Sequence, residues 1–296
     1  MSTPDTFAHG DAQILDRGYR KYDGPRTGVR GAVRAVVLHS VQRALGMRRS
    51  IWAKVLPIAT IGFAYLPAIV FVGIIALFPK SDVAAEALPT YGDYYGFIIA
   101  AIMVFVALVA PEVLCTDRRT GMLGVYLAAP LDRDSYLFAK AVSIAAVLSI
   151  VCLGPPLLML VANVLQSTGP DGIGDIALTT VRVLATGFFE TMLFTGITMG
   201  VTSLTDRKAV AAAGIILLFL ISISMTGTLD VAGLPNGVYV LAPTILGLEI
   251  APRVHGEYTV AMAGVPSYTL WLAWAAWTFG GFALARNRLR HLPVTR

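Results

Sequence analysis

Charge is scarce in this 296-residue sequence: Asp, Glu, Lys and Arg make up 14% of it, against roughly a quarter in an ordinary soluble domain. With 56% hydrophobic residues and a mean hydropathy of +0.71, the chain is a membrane protein, and a soluble enzyme is excluded. Cysteine is reduced to Cys115 and Cys152, both in or beside apolar runs, so neither a disulfide framework nor a thiolate metal site is available. Both read as small membrane hydrophobes. The histidines, His9, His39, His255 and His291, are too scattered to assemble a metal site or a histidine-carboxylate pair within one motif. Lys21, Lys54, Lys80, Lys140 and Lys208 follow Arg, Ala, Pro, Ala and Arg. A phosphate-cradling Walker loop needs Gly immediately before its Lys, so any nucleotide is hydrolysed by another chain. Apolar-polar alternation over ten-residue segments is also missing, which argues against an outer-membrane barrel and for a helical bundle.

What is present is a series of apolar runs. A helix needs about 20 such residues to cross the hydrocarbon core, and six segments qualify: 55–78, 96–114, 141–165, 183–204, 209–229 and 268–285. Six spans put both termini on one side. The first 50 residues are polar and basic, without the apolar core of a cleavable signal peptide, so the first span directs insertion. Of the 23 Lys and Arg, ten precede residue 55, four lie in 115–140, two in 205–208 and four after Ala285. Only Lys80, Arg182 and Arg253 fall on the other side, so the positive-inside rule makes both termini cytoplasmic, in an inner or plasma membrane. The net charge of +5 reflects this asymmetry and points to no nucleic-acid partner. Tyr91, Tyr94 and Tyr95 before the second span, and Tyr268, Trp271, Trp274 and Trp277 in the sixth, read as an outer interfacial belt in preference to a substrate cage.

Outside the spans, residues 1–28 form a basic segment, turn-rich around Asp23, Gly24 and Pro25. Residues 29–50 place Val29, Val33, Val36, Val37, Val41, Ala44 and Leu45 at helical spacing. This is an amphipathic helix, lying on the inner leaflet or packed on a partner. The transmembrane region then runs from 51 to 286, with a cytoplasmic tail over 287–296. The outer loop, 230–267, contains Leu241 to Ile250, which is too short to cross and suits a re-entrant or interfacial helix pair.

The cytoplasmic segment 115–140 is the most informative. Glu112 stands at the membrane exit, Arg118 and Arg119 form a basic turn, and Thr120 and Gly121 open a short apolar helix from Met122 to Ala129. Pro130 stops it. Asp132 to Ser135 can cap the third span, where the Lys140 ammonium snorkels to the headgroups. A short apolar helix in cytosol must bury its face. Met122, Leu123, Val125, Tyr126 and Leu127 fit either a groove of a cytosolic partner or the chain's own membrane ends.

In the order Glu112, Arg119, Thr120, Gly121, Leu123, Leu127, Pro130, Arg133 and Lys140, this segment resembles the signature of ABC-2 type permeases, the membrane subunits of ABC exporters. Six spans, cytoplasmic termini, the helix before the first span and the long last outer loop fit the same family, and the resemblance covers residues 30–285. It implies an all-α, type V exporter-like permease fold whose N-terminal helix is a connecting helix, paired with a second permease of the same or another chain. It also implies separate ABC ATPase subunits that hold ATP and Mg while this chain binds no cofactor. The helix around Thr120 to Ala129 would be a coupling helix seated on an ATPase subunit, with Gly121, Leu123, Tyr126, Leu127 and Pro130 shaping it. Arg118, Arg119 and Arg133 would contact that subunit or serve as positive-inside flanks. Glu112 would hold the helix junction. The implied activity is export of a drug-like, lipid or peptide substrate by alternating access. An importer or a regulatory or structural membrane subunit is the alternative, and a lipid-processing enzyme the remoter one.

Inside the fourth span, Glu190 is an ionisable group in hydrocarbon, which costs about 2.5 to 3.5 kcal/mol on insertion scales, so it faces protein or water. It is a candidate for the substrate path or gate, or for a structural hydrogen bond. Gly196 and Gly200 make a GxxxG step that lets helices approach closely, within the subunit or across a dimer seam. Pro155 and Pro156 are expected to kink the third span, and Pro57 and Pro67 to bend the first.

Overall fold

A computed structural model describes residues 24, 28–47, 49–78, 89–128, 130–170, 172–233 and 235–291. Most of the basic N-terminal segment, Lys80, Ala129 and residues 292–296 therefore lie outside the described residues. Among the described residues every regular element is helical. Helix α1 (Gly28–Ala44) precedes α2 (Ile51–Leu77), which carries Pro57 and Pro67 without interruption. After α3 (Tyr94–Leu108), Pro111 opens α4 (Pro111–Arg119), because a proline supplies no N–H and crowds the preceding turn. The short α5 (Met122–Ala128) follows Gly121, whose φ of 71° turns the chain where a side chain would be strained.

The third run is broken where two prolines were expected to kink it. Helix α6 (Arg133–Cys152) ends before α7 (Gly154–Leu165), with Pro155 and Pro156 in the first turn of α7. Asp132 caps α6 in a reciprocal box: its carboxylate accepts from Ser135 N at 2.8 Å while Ser135 Oγ accepts from Asp132 N at 3.0 Å. The Ser135 hydroxyl and backbone N–H, both donating to the ionised form, hold the Asp132 carboxyl below the usual carboxylate range. Helix α8 (Gly172–Ser203) has 32 residues, a length of about 48 Å, and starts eleven residues before the apolar run. Helix α9 (Lys208–Val231) leads to a 3-10 turn (Asn236–Leu241), α10 (Pro243–His255), a second 3-10 turn (Val260–Met262) and α11 (Ser267–Arg290).

Among the described residues, five stretches are long and apolar enough to cross a membrane: Ile51–Leu77, Tyr94–Arg119, Arg133–Leu165, Gly172–Ser203 and Lys208–Met225. The expected sixth, 268–285, is the single 24-residue helix α11, long enough at about 36 Å but less apolar. Its three tryptophans, Tyr268 and the arginines of its last turns account for that.

Helix α3 is the most enclosed, with Ile98, Ile102, Phe105 and Val106 fully buried. At the other extreme, α2 and α9 present Phe63, Leu66, Ile69, Leu217 and Leu220 outward. The closest helix pair is α8 with α11. A Cβ on Gly196 would stand 2.5 Å from Thr278 O, and one on Gly200 would lie 3.2 Å from Gly281 Cα. The GxxxG step therefore packs within the chain, and α11 answers it with its own glycine.

The tyrosine belt needs correction. Tyr94 and Tyr95 are fully buried: Tyr95 donates to Cys152 O at 2.7 Å and anchors α3 to the α6 terminus, while the Tyr94 ring packs edge-on against Phe71 of α2. The tryptophans are half-buried. Trp274 donates to Phe189 O at 3.0 Å and Trp277 to Leu241 O at 3.1 Å, pinning α11 to α8 and to the loop. Within that loop α10 sinks Leu246, Ile250 and Ala251 into the bundle. Arg253 donates to the buried Glu249 at 2.7 Å, and Glu249 also accepts from Thr259 N at 3.1 Å, which closes the loop on itself. At the end of α10, His255 stacks on Tyr91, and burial together with the nearby Arg182 pushes its imidazole down to about 4. It is therefore neutral at physiological pH.

Candidate functional site

The charged centre of the molecule lies where α1, α4, α5 and α6 meet, at the end of the bundle that carries most of the arginines. On α1, Val36, Ser40 and Ala44 are buried, four residues apart on one stripe, and Arg43 belongs to the same side. That stripe packs on α6 and α4. Helix α1 is thus held by its own chain, while Val29 and Leu38 stay half exposed.

Asp117, on α4, is completely buried and was not singled out from the sequence. Its Oδ1 accepts from Arg43 Nη2 at 2.5 Å, and its Oδ2 from Lys140 Nζ at 2.5 Å and Tyr136 Oη at 3.1 Å. Lys140 was expected to snorkel to the headgroups. Instead its side chain is fully buried, donating also to Ser40 Oγ at 2.6 Å, because a carboxylate and a hydroxyl inside the protein replace the water it would otherwise seek. Two cations share one carboxylate here. The second positive charge is spread over the faces of Tyr126 and Tyr136, whose centroids lie 5.7 and 5.6 Å from Lys140 Nζ.

Tyr126 comes from α5, so the short apolar helix is tied to this cluster. Leu123 is buried and Leu127 half-buried, both against the core, while Arg119, Thr120, Gly121, Val125 and Pro130 are exposed. The segment thus splits the two alternatives between its faces: the inner one folds back onto its own chain and the outer one is open.

The remaining arginines are placed within the chain. Arg118 Nη1 donates to the carbonyls of Thr202, Ser203 and Thr205 at 3.2, 2.7 and 3.0 Å, capping the end of α8. Arg133 does the same for α11, donating to the carbonyls of Leu289 at 3.1 Å and Arg290. Helix C-termini leave carbonyls unpaired and carry partial negative charge, which draws guanidinium groups. Glu112 accepts from Arg49 Nη1 at 2.9 Å and Lys208 Nζ at 3.2 Å, so it joins the α1–α2 link to the start of α9. Both partners are exposed.

Glu190 lies far from this junction and is fully buried on α8. Among the described residues neither of its carboxylate oxygens has a hydrogen-bond partner. A Cβ on Gly247 would stand 3.5 Å from Glu190 Oε2, so α10 meets the carboxylate with bare backbone. The Thr195 hydroxyl, five residues on, is likewise buried and without a partner among the described residues, while Thr191 faces the Cys152 thiol. The expected structural hydrogen bond from another helix is not among the described contacts.

A signal for Asp117 does exist in the sequence. A carboxylate at a span exit, a Lys two turns into the next helix and an Arg on the valine stripe of α1 are each misplaced for their surroundings, and they satisfy one another. Reading each charge against its own helix alone conceals the set.

A bundle of long apolar helices with a buried charge junction at one end defines a multi-pass helical membrane protein. Residues 10–276 match the family described as ABC-2 family transporter protein. The chain belongs to that family, as the segment from Glu112 to Lys140 led us to expect, and the match reaches into the basic N-terminal segment that the resemblance left out. It is a membrane component of an ABC transporter, not itself catalytic, and its family implies an ABC ATPase partner. No curated protein matches the sequence.

Proposed function

We propose that this chain is the permease subunit of an ABC exporter, spanning an inner or plasma membrane six times with both termini in the cytoplasm. It forms the substrate path with a second permease and couples that path to ATP hydrolysed by separate ATPase subunits. The observation that carries this reading is the two-faced α5, rooted through Tyr126 on the Asp117–Lys140 pair and open on the side of Arg119, Thr120, Gly121 and Val125. A push on the outer face reaches α1, α4 and α6 together, since all three contribute to one charge cluster. The family, the 20 of 23 Lys and Arg on the basic side and the length of α11 support the orientation and the sixth crossing.

The decisive experiment is a mild-detergent pulldown from the native membrane, with mass spectrometry of co-purifying chains and an ATPase assay. A stoichiometric ATP-binding subunit is expected. Val125→Asp and Arg119→Glu, both on the open face, should lower its retention or its turnover at least tenfold while leaving the melting temperature of the membrane chain unchanged. Full ATPase binding and turnover in both variants would remove the coupling assignment. Tyr126→Asp is a different test, because it places a second carboxylate beside Asp117 and acts inside the fold.

We read the partner that Glu190 lacks among the described residues as a proton, a bound cation or the substrate, which would make it part of the path or gate. An unpartnered ionised carboxylate is too costly to leave buried. Glu190→Gln and Glu190→Ala are both expected to change substrate stimulation of ATP hydrolysis by about tenfold, the worth of one hydrogen bond to a charged group. A tolerated Gln with an Ala that only lowers the melting temperature would return Glu190 to a structural role. An open panel of drugs, lipids and peptides is the appropriate substrate set.

A further inference from the structure

A cavity of about 490 Å3 opens between α6, α8 and α11, with neither Glu190 nor the Asp117 cluster in its lining. Ala141 and Ala145, one helical turn apart on α6, leave the space that larger side chains would fill, and Met192 of α8 and Phe282 of α11 close its sides. From Asp134 at its mouth to Ala145 at its head the wall runs eleven residues of helix, about 16 Å. That is half of the roughly 30 Å hydrocarbon core, the depth of one leaflet.

Two features show that the groove is more than an apolar dent. Thr195 lines it, is fully buried, and has no partner for its hydroxyl among the described residues. At the mouth, Arg286 donates to Asp134 through Nε at 2.9 Å and Nη2 at 2.7 Å, and Arg290 adds Nη2 at 3.4 Å. Two guanidinium groups bring roughly ten N–H donors to one carboxylate, so most of them face other acceptors. Both arginine side chains are about half exposed, at 52% and 54%. With Asp132 and Arg133 included, the mouth keeps an excess of positive charge.

We propose that this groove binds an anionic phospholipid of the leaflet at the basic end. The phosphate sits on Arg286 and Arg290, an acyl chain lies along Ala141 and Ala145, and Thr195 donates its hydroxyl hydrogen to an ester carbonyl. Guanidinium groups favour phosphate over a neutral headgroup through charge-assisted, bidentate hydrogen bonds. The depth assignment rests on the membrane orientation proposed above, while the binding itself does not depend on coupling to an ATPase.

The test is native mass spectrometry of the delipidated full chain, titrated with palmitoyl-oleoyl phosphatidylglycerol and, separately, with the phosphatidylcholine of the same chains. Phosphatidylglycerol is expected to bind about tenfold more tightly. Ala145→Phe, which fills the head of the groove, should weaken it about tenfold at an unchanged lipid-free melting temperature. Arg290→Gln, which keeps the Asp134–Arg286 pair, should reduce the preference for phosphatidylglycerol to about twofold. Equal binding of the two lipids would overturn the assignment, as would wild-type phosphatidylglycerol binding in both variants. Should the pulldown yield no ATPase while these lipid results hold, the transport reading falls and the lipid site stands. Phosphatidylglycerol that raises ATP turnover in the wild type and equally in Ala145→Phe would place the lipid elsewhere, as cargo, and remove this site.

Discussion

Asp117→Ala is expected to destabilise the chain by about 3 to 5 kcal/mol, the cost of removing one partner from a buried ion pair. The loss should sit at the high end, because Arg43 and Lys140 would both be left buried without their counter-ion and Tyr136 without its acceptor. Lys140→Met should cost less. It leaves Asp117 paired one to one with Arg43 and removes the second of the two cations that share its carboxylate. Glu112→Gln supplies the contrast, since its partners Arg49 and Lys208 have side chains 45% and 63% exposed, and pairs of that kind are worth about 1 kcal/mol or less. The measurement is the thermal stability of the purified chain in one detergent at low and high salt. Salt should move Glu112→Gln toward the wild type and leave Asp117→Ala where it is, because buried pairs are screened little. An Asp117→Ala variant as stable as Glu112→Gln would show that the junction is not a charge-locked unit. The same substitution should also loosen α1 and α5 from α6, so ATP turnover in the assembled transporter is expected to fall even at temperatures where the membrane chain remains folded.

The comparison of Glu112 with Asp117 shows how far the sequence could be read. Apolar runs longer than a bilayer are visible residue by residue, so the helical class, the interruption at Pro155 and Pro156 and the capping box of α6 are all legible: each depends on neighbours within a few positions. Family membership was legible too, because its marks are local and ordered along one segment. Asp117 was not, because what makes it central is its burial, and that depends on α1 and α6 closing over α4 from 70 residues before and 20 after. Longer separations still, 84 residues and 156 residues, divide Arg118 from the first carbonyl of α8 it caps and Arg133 from that of α11. An arginine beside a membrane end has two physically reasonable homes, water and a helix C-terminus, and only the packing of the bundle selects between them. Tyr94 and Tyr95 were misplaced for a related reason. An aromatic ring with a hydroxyl suits an interface equally well as a core site: for Tyr95 the core offers the Cys152 carbonyl, and for Tyr94 the Phe71 ring.

Gly281→Ala and Gly280→Ala, adjacent changes on α11, are expected to act in opposite directions. A Cβ on Gly281 would sit against the Gly196 carbonyl, on the backbone of a neighbouring helix that cannot swing aside as a side chain does. In lipid there is no hydrophobic drive to hold two helices together once the surrounding tails are equally apolar, so close backbone contact carries the association. Forcing α8 and α11 apart at this point should cost about 1 to 3 kcal/mol, the usual penalty for overpacking, and more for Gly281→Val. It should also disturb Thr195 and the groove that the same two helices frame. A Cβ on Gly280 meets nothing within 4 Å, so Gly280→Ala gains helix propensity without a clash and should be neutral or stabilising by up to about 1 kcal/mol. Differential scanning of the two purified variants reads the sign directly. A lower melting temperature for Gly281→Ala beside an equal or higher one for Gly280→Ala is the expected pattern. Equal shifts in both would mean that the α8–α11 contact is looser than these distances make it, with Gly196 and Gly200 then serving a seam between two permeases.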